Sequence, residues 1–292
     1  MTQQTIRRFA HPALLLAGLA VACSFGTEVQ VLDANDLEVS LGHAVTGDRS
    51  TLFTIEDSGI LSAFHLDGTA RDWDVLSNAR PQAIANDPSN PGAARYLADD
   101  GITTVTVSGD DIIYSDTIPL PGTFATLCDL SVDLDGDVYI TAVQTFSWYV
   151  WSELRRYDAQ SSTWSAAFVD YGGSCPRVSA DPAFDGVAVL SPDAPRDNVR
   201  MFDQDLYPTG VGFIDDSAYD LDLLGGTLLL GRIGTGTVNI AWHNHLELTD
   251  STGAHLAESP VLPTPFFVQF DTDEDVYGWV GGEDRVSTLP IF

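Results

Sequence analysis

The stretch CDLSVDLDGDVYITA, residues 128–142, places Asp133, Asp135 and Asp137 at alternate positions directly before an apolar run. An EF-hand calcium loop begins in this way. Here, however, Gly136 stands at the fourth position of the loop instead of the sixth, and Gln144 occupies the twelfth, where a bidentate glutamate is required. We therefore interpret the aspartates as acceptors for backbone N–H groups in a turn, and keep them as candidates for an irregular calcium site.

The same pattern recurs along the chain. The segment CPRVSADPAFDGVAVL at 175–190 repeats its cysteine, serine, aspartates and glycine, and weaker copies begin near residues 80, 217 and 264. The turns of successive copies are separated by 40 to 50 residues. A second turn marker follows about half a repeat later, at Thr69, Asp158, Asp203 and Asp250. A fixed period of about 45 residues is typical of propeller blades.

The spacing of apolar residues predicts an all-β fold. No long stretch shows helical spacing, and short apolar runs alternate with Gly, Asp, Pro and Asn. Six units resemble a six-bladed β-propeller, without the signature of a named subfamily. The aspartate turn would lead into the innermost strand of each blade. The last unit is short, so we expect EVQVLD and LEVSLGHA near the N-terminus to complete the final blade. A seven-bladed ring and paired β-sandwiches are the alternatives.

The composition excludes several kinds of chemistry. The 292 residues include 34 Asp, 8 Glu, 13 Arg and no Lys, which gives a net charge of −29. Without lysine there is no Schiff base, no P-loop lysine and no Ser-Lys dyad. The negative field also disfavours nucleic acid and anionic lipid surfaces, so we expect no nucleic-acid partner and a small neutral or cationic ligand, or an envelope protein, instead.

The N-terminus has the features of a secretory signal. Arg7 and Arg8 precede an apolar stretch too short to span a membrane, followed by small residues. The segment LAVAC, which ends at Cys23, resembles the lipobox of bacterial lipoproteins, although Ala20 stands where that family usually carries leucine. The resemblance implies a lipid on Cys23 and, with Ser24 following, an outer-membrane or cell-surface address. Cleavage without lipidation, giving a soluble secreted protein, is the alternative.

The lipobox-like segment and the repeat together divide the chain into three parts. Residues 1–22 are a signal peptide, residues 23–27 are a lipidated N-terminus and short tether, and residues 28–292 are a single propeller domain. We expect a monomer that meets the membrane only through its lipid. Cys128 and Cys175 then remain as an even pair in an oxidising compartment, at equivalent places in adjacent blades. They predict a disulfide that joins two blades; the alternative is two buried free thiols.

Two further clusters are candidates for binding. Trp148, Tyr149 and Trp151 could form an aromatic platform on a hairpin, although such rings more often pack between blades. His243 and His245 lie on the same side of a strand, as two metal ligands would, but no third ligand is near in sequence. We therefore expect no resident cofactor other than the calcium considered above.

No catalytic motif stands out, so the sequence favours a lipid-anchored extracytoplasmic module that binds a ligand or protein of the cell envelope over an enzyme. The alternative is a lactonase-like propeller hydrolase with a divalent metal in its axial channel. Four or more carboxylate or amide side chains at one end of that channel would favour the enzyme. A channel lined by Val, Leu and Gly would disfavour it.

Overall fold

The computed structural model describes residues 30–32, 41–76, 80–182, 186–192, 194, 197–215, 217–232, 245–258, 267–270, 277–282 and 285–290. All regular structure within these ranges is β-strand. The same ranges contain no helix, and hence none long and apolar enough to cross a membrane.

The strands are short and follow one another closely. In chain order they are β1 (Gln30–Leu32), β2 (Gly42–Val45), β3 (Leu52–Ile55), β4 (Ile60–Phe64), β5 (Ala70–Val75), β6 (Pro81–Asn86), β7 (Ala93–Ala98), β8 (Gly101–Ser108), β9 (Asp111–Ile118), β10 (Thr126–Val132), β11 (Val138–Phe146), β12 (Tyr149–Asp158), β13 (Thr163–Asp170), β14 (Arg177–Ala180), β15 (Gly186–Leu190), β16 (Val199–Asp203), β17 (Pro208–Phe213), β18 (Ala218–Leu224), β19 (Thr227–Arg232), β20 (His245–Asp250), β21 (His255–Glu258), β22 (Phe267–Phe270), β23 (Tyr277–Gly282) and β24 (Arg285–Pro290).

Within the described ranges these strands form six antiparallel sheets of four strands each. Five sheets use consecutive strands: β2 to β5, β6 to β9, β10 to β13, β14 to β17 and β18 to β21. The first strand of each sheet contacts the first strand of the next, in the cyclic order β2, β6, β10, β14, β18, β22 and back to β2. The first strands therefore surround an axis, and the sheets radiate from it as the blades of a propeller. We call these sheets one to six in that order.

The ring closes through the N-terminus. Sheet six consists of β22, β23 and β24, and β1 completes it as the outermost strand, with Gln30 opposite Thr288 and Leu32 opposite Val286. The expectation that EVQVLD completes the final blade agrees with this pairing. The expectation for LEVSLGHA is wrong, because its last three residues, Gly42 to Ala44, belong to β2, the innermost strand of sheet one. Closure leaves no inner sheet edge open to another chain.

The burial of the strands follows their distance from the axis. The second strands β3 and β15 are covered on both faces, whereas the outermost strands β5 and β17 are largely exposed. Neighbouring sheets cover the second strands from both sides, so apolar residues fill both faces and the runs do not alternate with polar residues.

The predicted position of the aspartate turn is wrong in one respect. It follows the innermost strand and leads into the second strand, as between β10 and β11.

Both repeated turn markers lie on one face of the ring, because they connect first to second strands and third to fourth strands. Their aspartates accept backbone N–H groups of the same turn: Ser161 N donates to Asp158 Oδ1 at 2.8 Å, and Ala254 N donates to Asp250 Oδ1 at 2.9 Å. This side-chain capping explains why aspartate is so frequent in the repeat. The opposite face, which carries the other connections, is called the loop face below.

Candidate functional site

A narrow cavity follows the axis and is lined by residues of all six innermost strands. Five carboxylate or amide side chains belong to its lining: Asn86, Asp129, Asp220, Asp222 and Gln269. They lie at more than one level along the axis, since Asp220 and Asp222 are two residues apart on β18, so the lining does not by itself meet the expectation of four such side chains at one end. The cavity measures about 60 Å³, which is far below the ~300–1,000 Å³ of sites that enclose a whole small molecule. It has room for a few water molecules.

The axial carboxylates join one sheet to the next. Asp129 Oδ2 accepts the N–H of Val178 at 2.8 Å, and Asp220 Oδ2 accepts the N–H of Val268 at 2.8 Å. The edge of each innermost strand that faces the axis has no partner strand, so its N–H groups need other acceptors. Asp129 and Asp220 each satisfy a donor on the neighbouring sheet in this way, and this uses part of the hydrogen-bonding capacity of each carboxylate.

One charged cluster combines two of these acids with a cation. Asp129, Arg177 and Asp220 lie at about the same height on the strands β10, β14 and β18, because Asp129 bonds the residue after Arg177 and Arg177 Nε is close to Asp220. Arg177 Nε lies 3.9 Å from Asp220 Oδ1, and its guanidinium lies over the ring of Tyr219. Burial raises the pKa of Asp220 to about 7, with Arg177 opposing and Asp129 adding to the rise. The pKa of Asp129 is also raised by burial.

A second acid lies one layer further along the axis. Burial raises the pKa of Asp222 to about 6. Its Oδ1 accepts the hydroxyl of Ser179 at 2.5 Å, and its Oδ2 accepts the N–H of Phe270 at 2.6 Å. Ser179 in turn accepts the N–H of Leu223 at 2.9 Å. Carboxyl groups that change protonation near neutral pH are suited to general acid–base catalysis.

His43, on β2, also lines the cavity. Its side chain is fully buried, and neither ring nitrogen has a hydrogen-bond partner. Burial lowers its pKa to about 4, so the imidazole is neutral over most of the physiological range. His65, in contrast, lies in the turn between β4 and β5, half exposed and 3.9 Å from Asp110.

The three aspartates of the opening stretch lie between β10 and β11, on the face opposite the loop face. Asp133 Oδ1 accepts the N–H groups of Asp135 and Asp137 at 3.0 and 2.9 Å. Asp137 pairs with Arg156 and accepts the N–H of Ala159 at 2.8 Å. These are the contacts of a capped turn. Across the described ranges no three His, Cys, Asp or Glu side chains are arranged to hold a metal ion.

The predicted aromatic residues lie at the tip of the β11–β12 hairpin, on the loop face. Trp148 and Tyr149 stack with ring centroids 3.9 Å apart. Trp148 is 76% exposed and Phe146 is 73% exposed, so they do not pack between blades. Trp151 lies on β12, two residues after Tyr149, and is half buried.

Cys128 and Cys175 form a disulfide with their Cα atoms 5.1 Å apart. Cys128 belongs to β10 and Cys175 lies two residues before β14, so the bond joins the innermost strands of sheets three and four. The predicted pairing is therefore present, and two free thiols are not.

Two other predictions lie outside the described residues. They are the signal segment with the lipidated Cys23 and the His243–His245 metal pair, of which only the backbone of His245 is described.

The axial cluster was missed because no local motif marks it. Asp129, Arg177 and Asp220 are separated by more than 40 residues each and meet only because the blades share a register. A signal was present in the repeat itself. The innermost strands read DLSVD, RVSAD and DLDLL from residues 129, 177 and 220, with polar residues at alternate positions where the second strands are mostly apolar.

Comparison with known proteins extends the fold assignment. No family model matches the sequence, and no curated protein matches it. A solved structure described as a candidate gluconolactonase has a TM-score of 0.65 at 12% identity, over 91% of this chain and 93% of that one. A gluconolactonase from Xanthomonas campestris has a TM-score of 0.62 at 17% identity, over 90% and 89%.

The WD40 repeats of RRP9 are also similar, with a TM-score of 0.57 at 10% identity, over 90% of this chain and 97% of that one. At such identities the likeness concerns the fold. It confirms the prediction of an all-β propeller. The number of blades stays a prediction, because several segments lie outside the described ranges.

Proposed function

We propose that this chain is a propeller hydrolase that opens a small lactone or ester at the loop-face end of its axial cavity. The observation that carries the proposal is the pair of acids Asp129 and Asp220 in the lining of that cavity, with Arg177 Nε 3.9 Å from Asp220 Oδ1 and burial raising the pKa of Asp220 to about 7. Two of the similar structures are described as gluconolactonases, which supports the hydrolase over the binding module.

The groups present suggest one division of roles. Asp220, ionised near neutral pH, would remove a proton from a water molecule as its oxygen attacks the carbonyl carbon. Arg177 would stabilise the negative charge that develops on the carbonyl oxygen. The protonated Asp220 would then return its proton to the leaving alkoxide as the carbon–oxygen bond breaks, giving an acid and an alcohol.

The divalent metal expected for a lactonase-like hydrolase does not fit the described residues. Asp222 uses both carboxylate oxygens for protein donors, and Asp129 and Asp220 each use one. The nearest cation to Asp220 is the Arg177 guanidinium. We therefore assign no step of the reaction to a metal.

The test is hydrolysis of D-glucono-1,5-lactone and other aldonolactones, followed by acid release at constant pH and corrected for the spontaneous rate. We expect Asp220→Asn to reduce kcat at least about 100-fold, since a positioned acid–base group contributes about 10²–10⁴-fold. Asp116→Asn, an exposed aspartate on β9, is the matched control. Equal rates for wild type and Asp220→Asn, or no rate above background with any lactone, would contradict the proposal.

We also propose that the chain is tethered outside the cytoplasm by a lipid on Cys23, as the lipobox-like segment implies. Labelling of cells with a fatty-acid analogue should mark the wild-type protein and not Cys23→Ser. Unlabelled wild-type protein recovered from the medium would point to cleavage without lipidation.

The binding module is the second candidate function. The exposure of Phe146, Trp148 and Tyr149 favours it, because monomeric proteins rarely expose aromatic rings side by side without use. Retention of purified protein on cell-envelope material, lost in a Trp148→Ala, Tyr149→Ala variant that still unfolds cooperatively, would support it. Equal retention of both proteins would argue against it.

A further inference from the structure

Sheet three extends beyond sheet two on the loop face. Its strands β11 and β12 have 9 and 10 residues, whereas β7 and β8, the corresponding strands of sheet two, have 6 and 8. The extra length carries the β11–β12 hairpin past the neighbouring sheet. One face of sheet three is therefore left uncovered at its end.

The uncovered face is aromatic. Phe146 lies opposite Tyr149, and Gln144 opposite Trp151, in the β11–β12 register. Directly opposed residues of an antiparallel pair share one face. Phe168 of β13 pairs with Glu153 of β12, so it belongs to the same face, and it is exposed. Trp148 stacks on Tyr149 and enlarges the surface. We call the face formed by Phe146, Trp148, Tyr149, Trp151 and Phe168 the aromatic wall.

The same face of sheet three is directed towards sheet two. Arg155 lies on it two residues after Glu153, and its guanidinium is 5.1 Å from the ring centroid of Phe124 in the β9–β10 connection. Glu153 accepts hydrogen bonds from Arg155 Nε at 2.6 Å and Gln144 Nε2 at 3.1 Å. This chain of contacts links the connection between the two sheets to the base of the aromatic wall.

A polar groove lies at that connection. It measures about 420 Å³ and is lined by the start of β6, the β7–β8 turn and the segment from Leu120 to Leu127. Arg80, Gln82 and Asp99 supply its polar groups from sheet two, and Phe124 supplies an aromatic ring. Its volume is within the ~300–1,000 Å³ range of small-molecule sites.

We propose that the polar groove and the aromatic wall together bind a neutral oligosaccharide. The C–H faces of sugar rings pack against the electron-rich faces of aromatic side chains. Sugar hydroxyl groups need hydrogen-bond donors and acceptors, and Arg80, Gln82 and Asp99 provide both. The net charge of −29 opposes an anionic glycan. A purely apolar partner would leave the polar side chains of the groove without hydrogen bonds.

This inference deepens the binding-module candidate and is independent of the axial acids. The probes are neutral cello-, xylo-, malto- and chito-oligosaccharides, with oligogalacturonate as the anionic comparison. Binding is followed by tryptophan fluorescence and by calorimetry. We expect saturable binding of at least one neutral series, with little or none of the anionic series.

Trp148→Ala with Tyr149→Ala should weaken that binding at least about tenfold, since it removes two stacking rings. Arg80→Ala should weaken it as well. Trp73→Ala is the matched control, because Trp73 is an exposed tryptophan on the outermost strand of sheet one. The lactone assay on the same variants separates the two proposals, because these substitutions leave Asp220 in place.

Several results would overturn the inference. One is that no neutral oligosaccharide changes the tryptophan fluorescence at millimolar concentration. Another is that Trp73→Ala loses as much affinity as the double variant. Self-association in sedimentation experiments that the double variant abolishes would assign the aromatic wall to a second copy of the chain instead.

Discussion

Gln269 of sheet six holds both backbone groups of Val45 in sheet one: its Oε1 accepts the Val45 N–H at 2.9 Å, and its Nε2 donates to the Val45 carbonyl at 2.9 Å. The two residues are 224 positions apart and both are buried. The last innermost strand is thus hydrogen-bonded to the first. The β1–β24 pairing closes the ring at its outer rim, and this amide closes it at the axis.

Gln269→Ala should therefore destabilise the protein more than an ordinary surface substitution. It leaves a buried N–H and a buried carbonyl of Val45 without partners, and each such group costs about 1–3 kcal/mol. We expect the free energy of unfolding in urea to fall by about 2–4 kcal/mol. Gln160→Ala, at an exposed turn, is the control and should change it by less than about 0.5 kcal/mol. Equal effects of the two substitutions would show that the ring does not depend on this amide.

The Cys128–Cys175 disulfide should stabilise the ring by restricting the unfolded chain. It closes a loop over a sequence separation of 47, which corresponds to about 4 kcal/mol in the chain-entropy treatment. Cys128→Ser with Cys175→Ser should lower the melting temperature, and a strong reductant should lower that of the wild type to a similar value. The melting temperature of the double variant should not respond to reductant. A wild-type protein equally stable with and without reductant would contradict this role.

Asp220 should make stability depend on pH in a defined direction. Its folded pKa of about 7 lies above the ordinary value of 3.8, so the folded state binds this proton more tightly than the unfolded state. The contribution is fully present below about pH 4 and is lost as the pH rises through 7. Asp220→Asn should lose less stability than wild type between pH 5 and 8, measured by urea unfolding at each pH. Parallel pH profiles for the two proteins would show that Asp220 does not titrate in this range.

The repeat made the fold predictable from sequence, whereas the site needed the blade register. Asp133 and Asp158 mark turns because each caps its own backbone within a few residues, and such local contacts are visible in a single sequence. Asp129 and Asp220 acquire their chemistry from strands more than 40 positions away, so neither has a local signature. The exposure of Trp148 depends on the strands of sheet three being longer than those of sheet two, a difference that strand propensity does not reveal.

His43 provides a test of how the interior treats an unpartnered polar group. Its folded pKa of about 4 lies below the ordinary 6.5, so its contribution to stability is present above pH 6.5 and is lost as the pH falls towards 4. Because neither ring nitrogen is hydrogen-bonded, His43→Leu removes no hydrogen bond and relieves the cost of burying two polar atoms. We expect the free energy of unfolding at pH 7 to stay within about 1 kcal/mol of wild type. As the pH falls from 6.5 to 4, the variant should become more stable relative to wild type. A loss of about 3 kcal/mol or more in His43→Leu at pH 7 would contradict the absence of a hydrogen-bond partner for the imidazole, since losing a bonded buried group costs about 1–3 kcal/mol.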